Sequence, residues 1–437
     1  MTGNMPKKQT IIIGKALRRL ARLRGGGSAL PGLLVEKLEP TFLADTLGQL
    51  EHGVILISGT NGKTTTTKMV AELLSAAGLH VFTNKTGSNF TRGVVSALIE
   101  SLDKDGKLPF NIAVLELDEA HAVQFVQQVK PRVSLFLNVM RDQLDRFGEI
   151  TATANMLGNV AEHTTEAIIL NRDDPIIASL AEKVDKTIGV HYFGVHKNLA
   201  HLFPSDDQLK AATARSIQTI KNDTSAIQRP GDVELAAFKD QTAAYHIGKT
   251  LYKTPLKLRG FYNFLNAAAA IATVKYVCPK ASNDSILKTL STVEPAFGRG
   301  EQVEYHGQPL EFVLVKNPAG FRLALASAKD HTNEAVMIAI NDNFADGRDM
   351  SWLWDVAFND VKAGGVQLVS GVRAYDMALR LQYDDVAVGD IQPDLAKAFK
   401  LFLNKNAGKP LRIYCTYTAM LKLRALATKQ LKMERAL

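Results

Sequence analysis

The stretch Ser58–Thr67, "SGTNGKTTTT", leaves the apolar run "GVILI" and enters "KMVAELLSAAG". Glycines 59 and 62 let the backbone curl so that successive N–H groups point inward, the geometry that cradles phosphate oxygens. A helix starting behind them adds its N-terminal dipole. Lys63 can carry positive charge to the β- and γ-phosphates, and Thr64 offers a hydroxyl to Mg²⁺. Gly59, Thr60, Asn61, Gly62, Lys63, Thr64 and Thr65 are therefore the candidate ATP-binding loop, with Lys63 expected in a solvent-accessible position. A glycine-rich turn with an exposed lysine would look similar in isolation. The strand before this one and the helix after it favour phosphate.

The elements that must position this loop alternate. "GVILISG", "HVFTNK", "FNIAVLELDEA", "RVSLFLNVM" and "EAIILNRDD" are short apolar strands, separated by helices such as "KTTTTKMVAELLSAAG" and "GVVSALIESL". Strands of this kind imply a mainly parallel sheet with both faces covered. From about His196 to Leu258 the composition turns polar and the rhythm lapses, although "AAYHIGKTLYK" predicts a hairpin turning at Gly248-Lys249. The helix "NFLNAAAAIATVKYV" follows. Pro295, Gly298 and Gly300 punctuate a boundary, beyond which "EFVLV", "AVMIAIN", "GVQLVSG" and "LRIYCT" form a second, Rossmann-like α/β unit. The expected division is 1–40, a basic helical segment; 41–298, the ATP-binding unit with a polar insert at 196–258; and 299–437.

Composition bounds the alternatives. At 437 residues, 46% hydrophobic and 22% charged, the chain has the balance of a globular protein with two or three domains. No apolar run is long enough to span a bilayer, and "QTIIIGKALRRL" is too short in its apolar core for a signal peptide. A cytoplasmic protein is expected. The net charge is +8, yet residues 1–35 hold seven of the basic residues (Lys7, Lys8, Lys15, Arg18, Arg19, Arg22, Arg24) and no acid. A nucleic-acid enzyme would spread such charge along a groove, so no nucleic-acid partner is expected. Ile13, Leu17, Leu20 and Ala21 fall at helical spacing there. Both a helix lying on the inner membrane face and an ordinary packed helix with a solvated basic side fit. Cys278 and Cys415 are far apart and suit packing in a reducing compartment. His191, His196 and His201 recur every five residues, which reads as a polar loop.

The spacing of the loop sharpens this. The common P-loop is Gly-x₄-Gly-Lys-Ser/Thr, but Ile57 stands five before Gly62. The shorter "GTNGKT" is similar to the Mur ligase and folylpolyglutamate synthase superfamily, ATP-dependent enzymes that join amines to carboxylates. "LELDEA" (115–120) resembles that family's strand-end acid, which implies Glu116 on Mg²⁺ beside Thr64. "NVMRDQLDRFGE" (138–149), "LNRDDP" (170–175), "NFLN" (263–266) and "FGRGE" (297–301) resemble its later signatures. These imply that Asn263 and Asn266 meet the nucleotide and that Arg299 reaches the phosphates. Within the superfamily, "KNPAG" (316–320) and "NDNFADGRDMSW" (341–352) resemble the MurT branch.

That resemblance implies amidation of the D-glutamate α-carboxylate of lipid II through an acyl phosphate, with ATP and Mg²⁺. It also implies ammonia from a separate GatD-type glutamine amidotransferase, whose Cys-His pair would be completed by Asp349 of "GRD". Asp342 and Asp346 read as a solvated turn. Two departures stand out. Gln143 replaces the usual histidine, and no lysine occurs between Lys130 and Lys183, so the superfamily's second metal site is absent or rebuilt. The four-cysteine zinc ribbon of many MurT chains is missing from 196–258, so no zinc is expected. Two other readings stay open: a stand-alone amino-acid ligase, and a nucleotide-binding scaffold. Intact Lys63, Thr64 and Glu116 speak against the scaffold.

Overall fold

The computed structural model describes residues 6–23, 29–84, 89–140, 150–205, 232–295, 299–327 and 333–431. The apolar runs are strands, and their neighbours explain their composition. A first sheet holds β1 (Val54–Ser58), β2 (Val81–Thr83), β3 (Ile112–Glu116), β4 (Val133–Phe136) and β5 (Ala167–Asn171). It continues with β6 (Gly189–Val195), β7 (Val233–Lys239), β8 (Thr242–Ile247) and β9 (Thr250–Pro255), in the order β2-β3-β1-β4-β5-β6-β7-β8-β9. Pairing is parallel from β2 to β7 and antiparallel from β7 to β9. β1, β3, β4 and β5 are buried at every position, because helices lie on both faces and no solvated side remains to be polar.

On one face the helices Lys63–Ala76 and Tyr262–Val277 share a core of Met69, Leu73, Ile271 and the alanines 267–270. On the other, Thr91–Ser101, Glu119–Val126 and Ile150–Glu162 bring Val94, Phe125 and Leu157 onto the sheet. The helix Lys8–Leu23 packs here too, but not by the predicted stripe. Ile11 is buried, and Gly14 comes so close to Ile99 and Val35 that an added Cβ would lie 3.1 Å from their methyls. Ile13 and Leu20 are exposed. Close approach at a glycine, rather than the bulkiest face, sets this helix's orientation.

The polar insert also differs from expectation. The predicted hairpin is β8-β9, with Gly248-Lys249 as its turn. β6 and β7 extend the sheet where the polar composition predicts a loop. His191 lies within β6 against the ring of Tyr276, with centroids 4.7 Å apart. His201 sits in the 3₁₀ turn Lys197–Leu202, and His196 caps it.

The second sheet comprises β10 (Arg299–Tyr305), β11 (Gln308–Leu314), β12 (Ala335–Ala339), β13 (Val366–Ser370), β14 (Val388–Gln392) and β15 (Leu411–Cys415), ordered β10-β11-β15-β12-β13-β14. Only β10 runs antiparallel to its neighbour. β10 and β14 are the edges. Their polar, alternating sequences hide them from a reading based on apolar runs. No helix among the described residues is long and apolar enough to cross a membrane.

Candidate functional site

Sheet order assembles the site. β3 and β4 flank β1, and the register sets Ile57 beside Glu116 and Ser58 beside Phe136. Glu116, the loop after β1 and Asn138 therefore meet at the carboxyl edge of the sheet, where open α/β sheets carry ligands. Within the loop Gly59 has φ +127° and Gly62 φ +89°, a region that L side chains avoid. A Cβ on Gly62 would also stand 2.5 Å from Asn266 Oδ1. Thr60 and Asn61 hold the loop's shape. The Thr60 N–H donates to the Asn138 carbonyl (2.9 Å), and its hydroxyl bridges the Met140 backbone (3.0 and 3.1 Å). The backbone of Asn61 exchanges hydrogen bonds with the Asn138 amide at 2.9 and 3.0 Å.

The helix opened by Lys63 turns Thr64 toward Glu116, its hydroxyl donating to Oε1 at 3.1 Å. Glu116 is buried, and the Asn84 amide grips its backbone N–H and carbonyl at 3.0 and 2.9 Å. A hydroxyl and a carboxylate this close form an all-oxygen donor pair, which fits a hard cation such as Mg²⁺. Among the described residues, no three His, Cys, Asp or Glu side chains gather as a metal cluster.

Lys63 departs from expectation. It is 7% exposed rather than solvent-accessible. Its Nζ donates to the Gly59 carbonyl at 2.6 Å and pairs with Asp118 at 3.1 Å and Glu119 at 3.9 Å. Burial alone would raise the Asp118 carboxyl. The ammonium of Lys63, with Lys316 behind it, outweighs that and holds it below the usual value. Asp118 is therefore charged, and the lysine is docked on it. The motif "LELDEA" pointed to this strand end, but Asp118 was not singled out.

A cleft opens beside the loop between the two sheets. It is lined by Asn61, Gly62, Thr65 and Asn266, by Asn171 and Asp173, and by Val313, Leu323 and Ala324 of the second unit. A mainly apolar slot with a few polar groups suits a flat heterocycle. Asn266 thus joins the loop and the cleft. Asn263 sits one layer behind, buried and bonded to the Arg259 carbonyl and the Asn266 amide. Arg299 begins β10, but its side chain lies outside what the structure describes, as do all of residues 141–149 with Gln143.

"KNPAG" is a helix start. Asn317 caps the Gly320 N–H at 2.8 Å, and Pro318 opens the helix Pro318–Ala326. The motif touches the loop after β1, with Asn317 Nδ2 donating to Asn61 Oδ1 at 3.0 Å, a relationship that sequence reasoning missed. The acid-rich loop after β12 is not a solvated turn throughout. Asp346 is buried, accepting from the Thr418 N–H (2.7 Å) and hydroxyl (2.5 Å) and so capping the helix Tyr417–Leu431. Asp342 pairs with Arg373 at 3.0 Å. Asp349 lies between β12 and the 3₁₀ turn Ser351–Asp355. The Ser351 hydroxyl and N–H (2.9 Å to Oδ1) hold it below the usual carboxylate value.

Comparison with known proteins agrees with this geometry. The family model for the Mur ligase middle domain matches residues 57–274, and that for the MurT ligase C-terminal region matches 314–420. The chain is 30% identical to the lipid II isoglutaminyl synthase (glutamine-hydrolyzing) subunit MurT of Staphylococcus aureus, over 89% of this chain and 90% of that protein. It is 28% identical to the Streptococcus pneumoniae subunit of the same name over 98% of each. In three dimensions it is similar to the MurF ligase of Thermotoga maritima in complex with ADP. The TM-score is 0.67 at 15% identity, covering 90% of this chain and 84% of that one.

Proposed function

We propose that this chain, which belongs to the MurT family of the Mur ligase superfamily and is an ATP-dependent ligase, converts the D-glutamate α-carboxylate of the lipid II stem peptide to D-isoglutamine. The observation that carries the reading is the Lys63, Thr64 and Glu116 cluster at the strand ends, in a chain with a MurT C-terminal unit. A carboxylate is a poor acyl donor because its leaving group would be oxide. Its oxygen attacks the γ-phosphorus of ATP, the bond to the β,γ-bridging oxygen breaks, and ADP leaves with the electron pair. Ammonia then displaces phosphate from the acyl phosphate.

Lys63 exchanges Asp118 for the phosphates, and the N–H groups around Gly62 cradle them. Thr64 and Glu116 would hold Mg²⁺, which neutralises phosphate charge when bound. The division into 1–40, 41–298 and 299–437 belongs to the same proposal, as does Mg²⁺ itself.

Ammonia comes from a GatD-type glutaminase bound as a separate chain, with Asp349 completing its Cys-His pair by fixing the imidazole. Two features support a partner here. The Asp349 carboxylate is held charged by Ser351, and Phe344 on the same loop is 81% exposed, with exposed Tyr375, Leu379 and Tyr383 on the helix Ala374–Tyr383 after the next strand. Exposed apolar groups of this size mark protein contacts where they form one contiguous patch. Lipid II places the reaction at the membrane surface.

The test is co-purification with the glutaminase, followed by ATP, lipid II and glutamine, with ADP and product mass as readouts. The expected product gains an amide nitrogen and one ADP is formed. A product that gains an amino acid supports the stand-alone ligase instead. Nucleotide binding without turnover supports the scaffold.

A further inference from the structure

The loop that holds the phosphates is not completed by its own sheet. Lys316, at the carboxyl end of β11 in the second unit, donates from Nζ to the Thr60 carbonyl at 3.2 Å. Lys63 Nζ lies 3.5 Å from that same oxygen. Two ammonium groups from different units thus converge on one carbonyl of the phosphate loop. Both bear on Asp118, and both help to hold its carboxyl charged. Like charges brought together repel. The arrangement suits a ligand that carries several negative charges.

The residue after Lys316 fixes this approach. Asn317 is 1% exposed and uses both ends of its amide. Its Oδ1 accepts the Gly320 N–H at 2.8 Å, and its Nδ2 donates to Asn61 Oδ1 at 3.0 Å, with Asn61 Nδ2 returning toward Asn317 Oδ1 at 3.5 Å. Gly320 leaves room for the pair, since a Cβ there would lie 3.0 Å from Asn317 Oδ1. An amide pair has one productive register. Its neighbour Lys316 is therefore delivered to one place, the phosphate loop.

We propose that Lys316 is a second phosphate-binding lysine, supplied by the C-terminal unit. It contacts the γ-phosphoryl group as that group passes from ADP to the carboxylate, and the Asn61–Asn317 amide pair positions it. This rests on the ligase reading above. The transfer needs no added reactant: the carboxylate oxygen forms the new O–P bond, and the electron pair of the broken P–O bond leaves on ADP. The lysine stabilises charge on the equatorial oxygens.

The full chain is tested with lipid II, ATP and ammonium chloride as the nitrogen source. Affinities for ATP and ADP are measured separately. Lys316→Met is expected to bind ADP within threefold of wild type, to bind ATP more weakly than wild type does, and to form ADP about 10²–10³-fold more slowly. Lys316→Arg, which keeps the charge, should recover at least a tenth of the rate. Asn61→Ala and Asn317→Ala should each slow turnover, and the double variant should lose no more than the worse single.

A Lys316→Met rate within threefold of wild type overturns the role, as does equal weakening of ATP and ADP. If the methionine variant does not fold, Lys316→Gln against Lys316→Arg decides by the same criteria. A wild-type chain that forms no ADP overturns the ligase reading itself, whereas an active wild type beside an equally active Lys316→Met overturns only this inference.

Discussion

The ammonium of Lys63 stands 3.1 Å from the carboxylate of Asp118 and 2.6 Å from the carbonyl of Gly59. The lysine is thus held by its own protein, and under the proposed function a bound phosphate would draw it from Asp118. Lys63→Ala is expected to abolish ATP-dependent amidation, a loss of about 10²–10³-fold or more. It should also cost about 1–2 kcal/mol of stability, because Asp118 and Glu119 lose their cation. Denaturant unfolding and ADP release measure the two effects. Near-normal turnover would remove this loop from the chemistry.

Gly62 is constrained by both backbone and space, with φ +89° and the Asn266 amide against it. Gly62→Ala should lower stability by about 1–3 kcal/mol and weaken ATP binding severalfold or more. Adding Asn266→Ala relieves the clash but not the dihedral, so only part of the stability should return. Calorimetric melting of both variants checks this, and full recovery would mean that φ is unimportant there.

Asp173 gives a pH dependence. Burial, helped by repulsion from Glu234 and Asp174, outweighs Arg172 and the Val195 N–H and pushes its carboxyl up to about 6. The same group titrates near ~3.9 when unfolded. Folding therefore takes up a proton between roughly pH 4 and 6, so this site's contribution improves as pH falls through that window and is least favourable above it. Asp173→Asn should stabilise the ligand-free protein at pH 8 by up to about 3 kcal/mol and make little difference at pH 4. Equal shifts at both pH values would place the effect elsewhere.

Asp349→Asn should leave ATP binding and complex formation intact while strongly reducing glutamine-driven amidation. High ammonium should largely restore turnover, because only ammonia supply is damaged. Glutamine-driven rates equal to wild type, or no rescue by ammonium, would exclude the in-trans carboxylate.

Much of this was written in local sequence. The order strand, "GTNGKT", helix determined a tight glycine loop between β1 and a helix start, because only particular residue types satisfy left-handed backbone and a helix start within a few positions. The inner strands were legible since burial on both faces leaves a continuous apolar run. The edge strands β10 and β14 and the extension β6-β7 were not, because partial exposure mixes polar residues into them. Tertiary structure alone decided which distant groups share the site. The crossover that places β1 between β3 and β4 brings Asp118 to Lys63, Glu116 to Thr64 and Asn138 to Thr60 and Asn61. The packing of the two units brings Asn317 and Lys316 to Asn61 and Thr60, more than 250 positions away. Periodicity reports which face of an element is buried, but it carries no information about which other element buries it.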